Sequence, residues 1–180
     1  MKHAHLLTTL FVILICLSAP LRADSVEEIN AKSINALVVL RDSVEGAGDL
    51  LQEAVGVLVF PDIVKLGFGV GGQYGEGALF IDGKPTDYYA TAGASFGLQL
   101  GGVTKSEVIL FMTDAALQQF RGSRGWEVGV DGTVTLFKAG AGTRVDSRTV
   151  QSPVVGFIFS SEGLMADLSL EGAKITRLAR

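Results

Sequence analysis

Hydrophobic positions change their spacing twice along the chain. An almost unbroken apolar run covers 6–17, apolar positions at helical spacing follow in 24–54, and short apolar segments separated by glycines continue from 55 onward. Apolar residues at helical spacing are typical of an amphipathic helix, whereas short apolar runs between turn residues are typical of strands. The pattern therefore predicts helices first and a sheet after them.

Boundary signals divide the predicted helical region into two helices. Asp24 or Ser25 is placed to cap the first helix, because a short polar side chain can accept a hydrogen bond from a free backbone amide of the first turn. Gly46 and Gly48 interrupt the helical pattern, and 49–54 is predicted as a second, short helix.

Turn residues separate the predicted strands. The first strand, 55–60, is closed by proline and aspartate at 61–62, and Asp-Gly pairs at 82–83 and 131–132 predict two-residue hairpin turns. The further predicted strands are 67–74, 77–82, 87–99, 104–112, 126–137, 152–160 and 164–178.

One inserted helix interrupts this series of strands, at 113–120, with Thr113 as its cap and Gly122 at its end. The sequence shows no solenoid-scale repeat, linker or low-complexity tract, so we expect one domain over 24–180. The predicted fold class is α+β: N-terminal helices followed by a curved, mostly antiparallel sheet, which can close into a barrel, with one short inserted helix.

The N-terminal apolar run has the layout of a secretory signal peptide. Lys2 precedes the run, and Ala23 offers a small residue for cleavage before Asp24. The run is about 12 residues long, shorter than the ~20 residues that a membrane-spanning helix needs. We therefore expect residues 1–23 to be removed on export.

Composition excludes several classes of function. The chain of 180 residues is 48% hydrophobic, which is too apolar for a disordered protein, and its net charge of −4 gives no basic excess for nucleic acid. Its only histidines and cysteine, His3, His5 and Cys16, lie in the predicted signal peptide. The remaining segment, 24–180, therefore offers no catalytic triad, no cysteine nucleophile and no usual zinc or haem ligands, and we expect neither catalysis nor a cofactor.

Glycines alternate along the segment that follows the first strand. Gly67, Gly69 and Gly71 share one face of a strand, and a bare face is favourable only where something packs closely on it. The spacing also fits the dinucleotide pattern G-x-G-x-x-G, but turn and strand signals follow it where that pattern requires a helix. Two interpretations stay open: glycines that let the sheet bend, and glycines that admit a ligand or a membrane surface.

The glycine segment also carries a family resemblance. The stretch 57–77, VLVFPDIVKLGFGVGGQYGEG, resembles the signature of the SYLF domain, a lipid-binding domain of yeast actin-patch SH3 proteins, of animal SH3- and FYVE-containing relatives and of many exported bacterial proteins. Further stretches similar to the bacterial branch lie at 88–99, 111–117, 125–131, 153–157 and 163–165. The resemblance covers nearly all of 25–178.

This resemblance implies a membrane-lipid-binding module. Eukaryotic members bind phosphoinositides, and some bind and bundle actin. Because the chain resembles the exported bacterial branch, we expect it in the periplasm or at the outer-membrane periphery of a Gram-negative bacterium, with a phospholipid membrane surface as its partner. We expect no actin partner there, and the headgroup and any protein partner stay open.

Candidate lipid-binding residues come from the glycine segment and from a second, basic one. Lys65 is the only charged side chain between Asp62 and Glu76 and can meet a phosphate as a point charge. Aromatic side chains can lie at a membrane boundary with their polar tips in water. The candidates are Lys65, Phe68, Gly69, Gly71, Gly72, Tyr74, Arg121, Arg124 and Trp126. The alternatives are a solvated charge, a core aromatic and a bend in the sheet.

Three other functions stay open at this point. A structural or protein-binding component of the cell envelope fits the same features. An integral outer-membrane barrel fits alternating strands and export, but not the predicted helices in 24–54 and 113–120. A hydrolase that uses the carboxylates of Glu76 and Asp87 is the third, although no spacing singles out this pair.

Overall fold

A computed structural model describes the fold. It describes residues 24–127, 130–138, 145, 151–160 and 173–180. The predicted signal peptide lies outside these residues, as does the first half of the last predicted strand, and the division into 1–23 and 24–180 stays a prediction. The described helices are α1 (Val26–Ser43), α2 (Ala47–Glu53) and α3 (Asp114–Gly122). The described strands are β1 (Gly56–Ile81), β2 (Lys84–Phe111), β3 (Trp126–Glu127), β4 (Thr135–Lys138), β5 (Val154–Phe159) and β6 (Ala173–Arg177).

The helices begin where the polar caps predict. Ser25 Oγ accepts a hydrogen bond from the Glu28 amide at 3.1 Å, which satisfies one free donor of the first turn of α1. Gly46 separates α1 from α2 with a φ of 88°, a left-handed conformation that glycine adopts without strain. Thr113 caps α3 in the same way as Ser25 caps α1, through its side-chain oxygen and the Ala116 amide.

A single long hairpin replaces the five separate strands predicted between 55 and 112. β1 continues through Pro61. The proline has no backbone amide to donate, and it is accommodated by a shift in the pairing register between Phe60 and Ile63. The prediction that a strand ends there is therefore wrong. The predicted turn at 82–83 is confirmed, because both Asp82 and Gly83 have positive φ, as a tight hairpin requires.

β2 is the central strand of the sheet. It pairs with β1 along most of its length, with β6 near its start and with β5 near its end, while β3 pairs with β6 and β4 with β5. Only the β4–β5 pair is parallel among the described strands, so the expected mostly antiparallel sheet is confirmed. The Asp-Gly pair at 131–132 does not join two paired strands, because β3 and β4 lie on opposite sides of β2.

The sheet curls into a half-barrel. Over the described part of the chain this half-barrel is open, so the α+β class is confirmed and the closed barrel is not. Its outer face packs under α1 and α2, where Ile29, Ala36 and Leu40 of α1 are buried. Its inner face packs against α3, through Leu117 and Phe120. Alternate residues of β1 and β2 therefore enter two different hydrophobic clusters.

Two glycines of the predicted signature let the curled hairpin pack against itself. A Cβ atom at Gly75 would lie 2.7 Å from Ile63 Cγ1 and 2.8 Å from the Asp62 carbonyl oxygen. A Cβ atom at Gly77 would overlap the Val59 carbonyl oxygen and lie 2.6 Å from Phe60 Cδ1. Both glycines thus contact the bulged part of their own strand, and any side chain would push the two parts of the hairpin apart.

Candidate functional site

Two arginines from different elements meet at one buried carboxylate. Asp87, near the start of β2, has a side chain only 6% exposed. Arg121, in the last turn of α3, places its Nη2 atom 3.1 Å from Asp87 Oδ2. Arg177, at the end of β6, donates from Nη2 to Asp87 Oδ1. This contact ties α3, β2 and β6 together on the inner face of the half-barrel.

A third arginine lies at the same end of the sheet. Arg124 is exposed in the short loop between α3 and β3. Trp126 of β3 pairs with Ile175 of β6 in antiparallel register, so Arg124 precedes that pair by two residues while Arg177 follows it by two. We call Arg121, Arg124 and Arg177 the arginine cluster. Its two described ion pairs share a single carboxylate, so the cluster keeps an excess of positive charge.

A buried phenol adjoins the arginine cluster. Tyr89 lies directly across from Arg177 in the β2–β6 register, and its ring packs against Phe120 with a centroid distance of 4.8 Å. Its hydroxyl is buried and has no hydrogen-bond partner among the described residues. Burial raises the pKa of Tyr89, the charge of Asp87 raises it further, and the arginines at 177 and 121 lower it.

The predicted lipid contact at Trp126 does not fit its surroundings. The side chain is 2% exposed and belongs to the inner cluster. Its ring lies edge-on to Phe120 at 5.6 Å and to Phe111 at 6.4 Å between centroids. The core-aromatic alternative therefore holds for Trp126, and its ring is not offered at the surface.

Two other candidates, Gly72 and Tyr74, lie on the outer face beyond the start of α1. Tyr74 pairs with Ala92 of β2, which in turn pairs with Lys174 of β6, and all three residues are exposed. Gly72 is exposed as well, and a Cβ atom there would meet only the Gly93 carbonyl oxygen, at 3.8 Å. Unlike Gly75, Gly72 is therefore not required by packing.

The Tyr74 side chain is held by a neighbouring carboxylate. Its hydroxyl donates to Glu76 Oε1 at 2.8 Å, and Arg180 donates to the other oxygen of the same carboxylate. Burial first, and then this hydrogen bond, raise the pKa of Tyr74 to about 12. The phenol therefore stays neutral at any physiological pH.

The remaining candidates lie further along the hairpin. Lys65 is half-buried on β1 and pairs with Val103. Gly69 pairs with Gly97 after a second register shift, and Gly71 pairs with Ser95. The backbone of Phe68 lies in β1, and its side chain lies outside the described residues.

The carboxylates proposed for a hydrolase do not form a pair. Alternation along the paired strands puts Glu76 on the outer face and Asp87 on the inner face, so the sheet lies between them. Each is instead bound by arginine. Sequence reasoning missed the partnership of Asp87 with Arg177, because 90 residues separate them and no local pattern links them.

A second buried ion pair was also missed. Lys105 Nζ lies 2.7 Å from Glu107 Oε1 on the inner face of β2, with side chains 3% and 1% exposed. Burial raises the pKa of Glu107, and the charge of Lys105 opposes that rise. The spacing of two residues that puts both side chains on one face was visible in the sequence, but burial of that face was not.

Comparisons with known proteins find a family that matches part of the chain. Among the helices that the structure describes, none is both long and apolar enough to cross a membrane. No curated protein matches the chain. A family model described as Ysc84, Las17-binding protein actin regulator, matches residues 92–179, which leaves the 57–77 stretch outside the match. Residues 92–179 therefore match the Ysc84 (SYLF) domain family, which the resemblance predicted and which is associated with lipid binding.

Proposed function

We propose that the protein is an exported, non-catalytic module that binds reversibly to the surface of phospholipid membranes, recognising their headgroups. The observation that carries the proposal is the arginine cluster, in which Arg121 and Arg177 share Asp87 and Arg124 adds a further positive charge. The association of the family with lipid binding supports the same proposal.

Local charge has to act against the charge of the whole protein. Two of the 15 Lys and Arg residues and none of the 19 acidic residues lie in 1–23, so the segment 24–180 has a formal net charge of −6. A basic residue near an anionic membrane surface contributes about 1 kcal/mol. Three arginines opposed by one buried carboxylate therefore contribute about 2 kcal/mol, enough for weak, salt-sensitive and oriented docking.

The N-terminal segment supports an exported setting for this function. The apolar run in 1–23 supports export to the periplasm or the outer-membrane periphery of a Gram-negative bacterium. The segment 24–180 has no histidine or cysteine, which supports a binding role without a cofactor. The proposed partner is a phospholipid membrane surface, and neither nucleic acid nor actin.

Co-sedimentation with liposomes tests this proposal. The 24–180 protein is mixed with phosphatidylethanolamine vesicles and with vesicles that also carry phosphatidylglycerol or cardiolipin, at low and high salt. We expect binding to the anionic vesicles alone, and we expect high salt to remove it. Absence of binding to every vesicle would overturn the proposal and favour a structural or protein-binding component of the envelope.

Matched variants locate the membrane contact. The double variant Arg121→Gln, Arg124→Gln should bind anionic vesicles about thirtyfold more weakly, since two charges of about 1 kcal/mol each are lost. Lys84→Gln removes one exposed charge at the hairpin turn and serves as the control, with less than twofold change. Tyr74→Ala tests the outer face, and a larger loss for Tyr74→Ala than for the double variant would move the contact to that face.

A further inference from the structure

We propose that the arginine cluster is a binding site for a terminal phosphate group, with Arg121, Arg177 and the Tyr89 hydroxyl as its donors. This inference rests on the proposed function and names the headgroup chemistry that the site selects. The phosphate is a phosphomonoester, either at the end of a lipid headgroup or free in solution.

The two arginines have donors left for a ligand. Each guanidinium carries five N–H donors, and the described contacts with Asp87 use one nitrogen of each. The side chains of Arg121 and Arg177 are 43% and 59% exposed, so water or a ligand reaches both. Asp87 holds the two guanidinium groups beside one another and acts as a positioning residue.

The unpartnered phenol is the independent observation that points to a ligand. Tyr89 lies directly across from Arg177, and its hydroxyl lacks an acceptor among the residues that the structure describes. A buried hydroxyl without a partner is unfavourable, and most such groups in proteins are satisfied. In our proposal the exposed Arg177 guanidinium pivots on its contact with Asp87 as phosphate enters, and the Tyr89 hydroxyl then donates to a phosphate oxygen.

Charge and oxygen count favour a phosphomonoester over a phosphodiester. Three arginines and one aspartate leave an excess of two positive charges, and a phosphomonoester carries about −1.5 to −2 at pH 7 with three acceptor oxygens. A phosphodiester, as in phosphatidylglycerol, offers one negative charge and two free oxygens. The planar guanidinium of arginine can donate two parallel hydrogen bonds to two phosphate oxygens, whereas lysine acts as a point charge.

The experiment compares two vesicle types of matched surface charge and one soluble probe. Vesicles of phosphatidylethanolamine carry either phosphatidic acid, a phosphomonoester, or phosphatidylglycerol, a phosphodiester, and inorganic phosphate is titrated separately by calorimetry. We expect the 24–180 protein to bind phosphatidic acid vesicles about tenfold more tightly than phosphatidylglycerol vesicles. The preference should fall as pH drops below about 6, where the second phosphate proton binds.

Two variants distinguish a loss of phosphate binding from a loss of folding stability. Arg177→Gln should weaken binding to phosphatidic acid about tenfold, and Tyr89→Phe about threefold. Tyr89→Phe keeps the ring that packs on Phe120 and removes only a hydroxyl without a partner, so its unfolding midpoint should not fall. Lys84→Gln is the control and should bind like the parent protein.

The outcomes distinguish this inference from the proposed function. Equal binding to both anionic vesicle types, unchanged in Arg177→Gln and Tyr89→Phe, would overturn the phosphate site and leave membrane binding in place. Binding of inorganic phosphate that Arg177→Gln weakens, without binding to any vesicle, would support the site with a soluble phosphate ligand and overturn the membrane function.

Discussion

The glycine pair Gly75 and Gly77 and the arginine cluster are two regions of one curled sheet with opposite surroundings. The glycines touch the backbone and side chains of 59–63, with no space for even a methyl group. Two of the arginines, Arg121 and Arg177, contact a buried carboxylate but keep their own side chains exposed. Both regions lie in or beside stretches that resemble the family signature, yet only the arginines are available to a ligand.

In our account, the signature glycines serve the fold, and the arginine cluster forms the proposed site. Close packing leaves no choice of residue at Gly77, because a Cβ atom would overlap a carbonyl oxygen of the same strand. An exposed arginine instead contributes little to stability in water and keeps unused N–H donors for an anion. Within the signature itself, Gly72 and Tyr74 are exposed to solvent. The strand therefore changes from exposed to closely packed positions within a few residues.

The largest expected effect comes from filling the packed glycine. Gly77→Ala should lower the free energy of unfolding by about 3 kcal/mol or more, since the new methyl group forces the hairpin apart. Gly72→Ala is the matched control, and its exposed position should change stability by about 0.5 kcal/mol or less. Urea denaturation measures both, and equal effects would break the distinction between packed and open glycines.

A smaller loss of stability is expected on replacing Asp87, the carboxylate that two of the arginines share. Asp87→Asn removes the charge that Arg121 and Arg177 share, and should cost about 1–2 kcal/mol, less than for a fully buried pair because both arginines are exposed. Asp42→Asn breaks an exposed pair with Arg41 and should cost about 0.5 kcal/mol or less. Thermal unfolding measures the stability of both variants. Equal losses of stability would mean that Asp87 does not organise the arginine cluster.

The buried pair at 105 and 107 gives a pH test of the inner face. Burial raises the pKa of Glu107 in the folded protein above its usual 4.5, so the folded state retains this proton to higher pH than the unfolded state. Stability should therefore fall as pH rises from about 4.5 toward the raised pKa, by at most about 1.4 kcal/mol per pH unit.

Glu107→Gln removes this titration. Denaturation of both proteins between pH 4 and 8 should show the parent losing stability relative to the variant as pH rises. A difference between the two proteins that stays constant with pH would contradict burial of the ionisable carboxylate.

The smallest expected effect concerns the exposed end of the signature. Tyr74 should titrate at a pH of about 12 in ultraviolet absorbance, because partial burial and the hydrogen bond to Glu76 favour its neutral form. Glu76→Gln should lower this pKa toward 10, while Lys84→Gln should leave it unchanged. If Glu76→Gln left the pKa of Tyr74 unaltered, the hydroxyl would not be held by that carboxylate.

Local chemistry made parts of the fold predictable. The caps at Ser25 and Thr113 and the turn at 82–83 depend on residues within three positions, and all three agree with the structure. Local signals do not predict the long hairpin, because glycines and Pro61 usually end strands, whereas here the two strands bend and continue. Pairing with partners far along the chain carries the backbone through these positions.

The candidate site depended even more on distant residues. The sequence positions of Arg121 and Arg124 predict a basic site. The structure places Arg121 beside Asp87, and Arg124 at the same end of the sheet. Arg177 and Tyr89 were not selected, because only the β2–β6 register brings them opposite one another. Trp126 was selected as an aromatic near basic residues, and its burial follows from tertiary packing that no local pattern reports.

Backbone hydrogen exchange on membranes tests the central claim most directly, that ligands meet the arginine cluster while the packed glycines serve the fold. Exchange of the 24–180 protein would be compared with and without phosphatidylglycerol vesicles. The account predicts slower exchange at 121–125 and 176–178 on the vesicles, with unchanged exchange at 75–77. Protection confined to 65–74, with none at the arginine cluster, would contradict it.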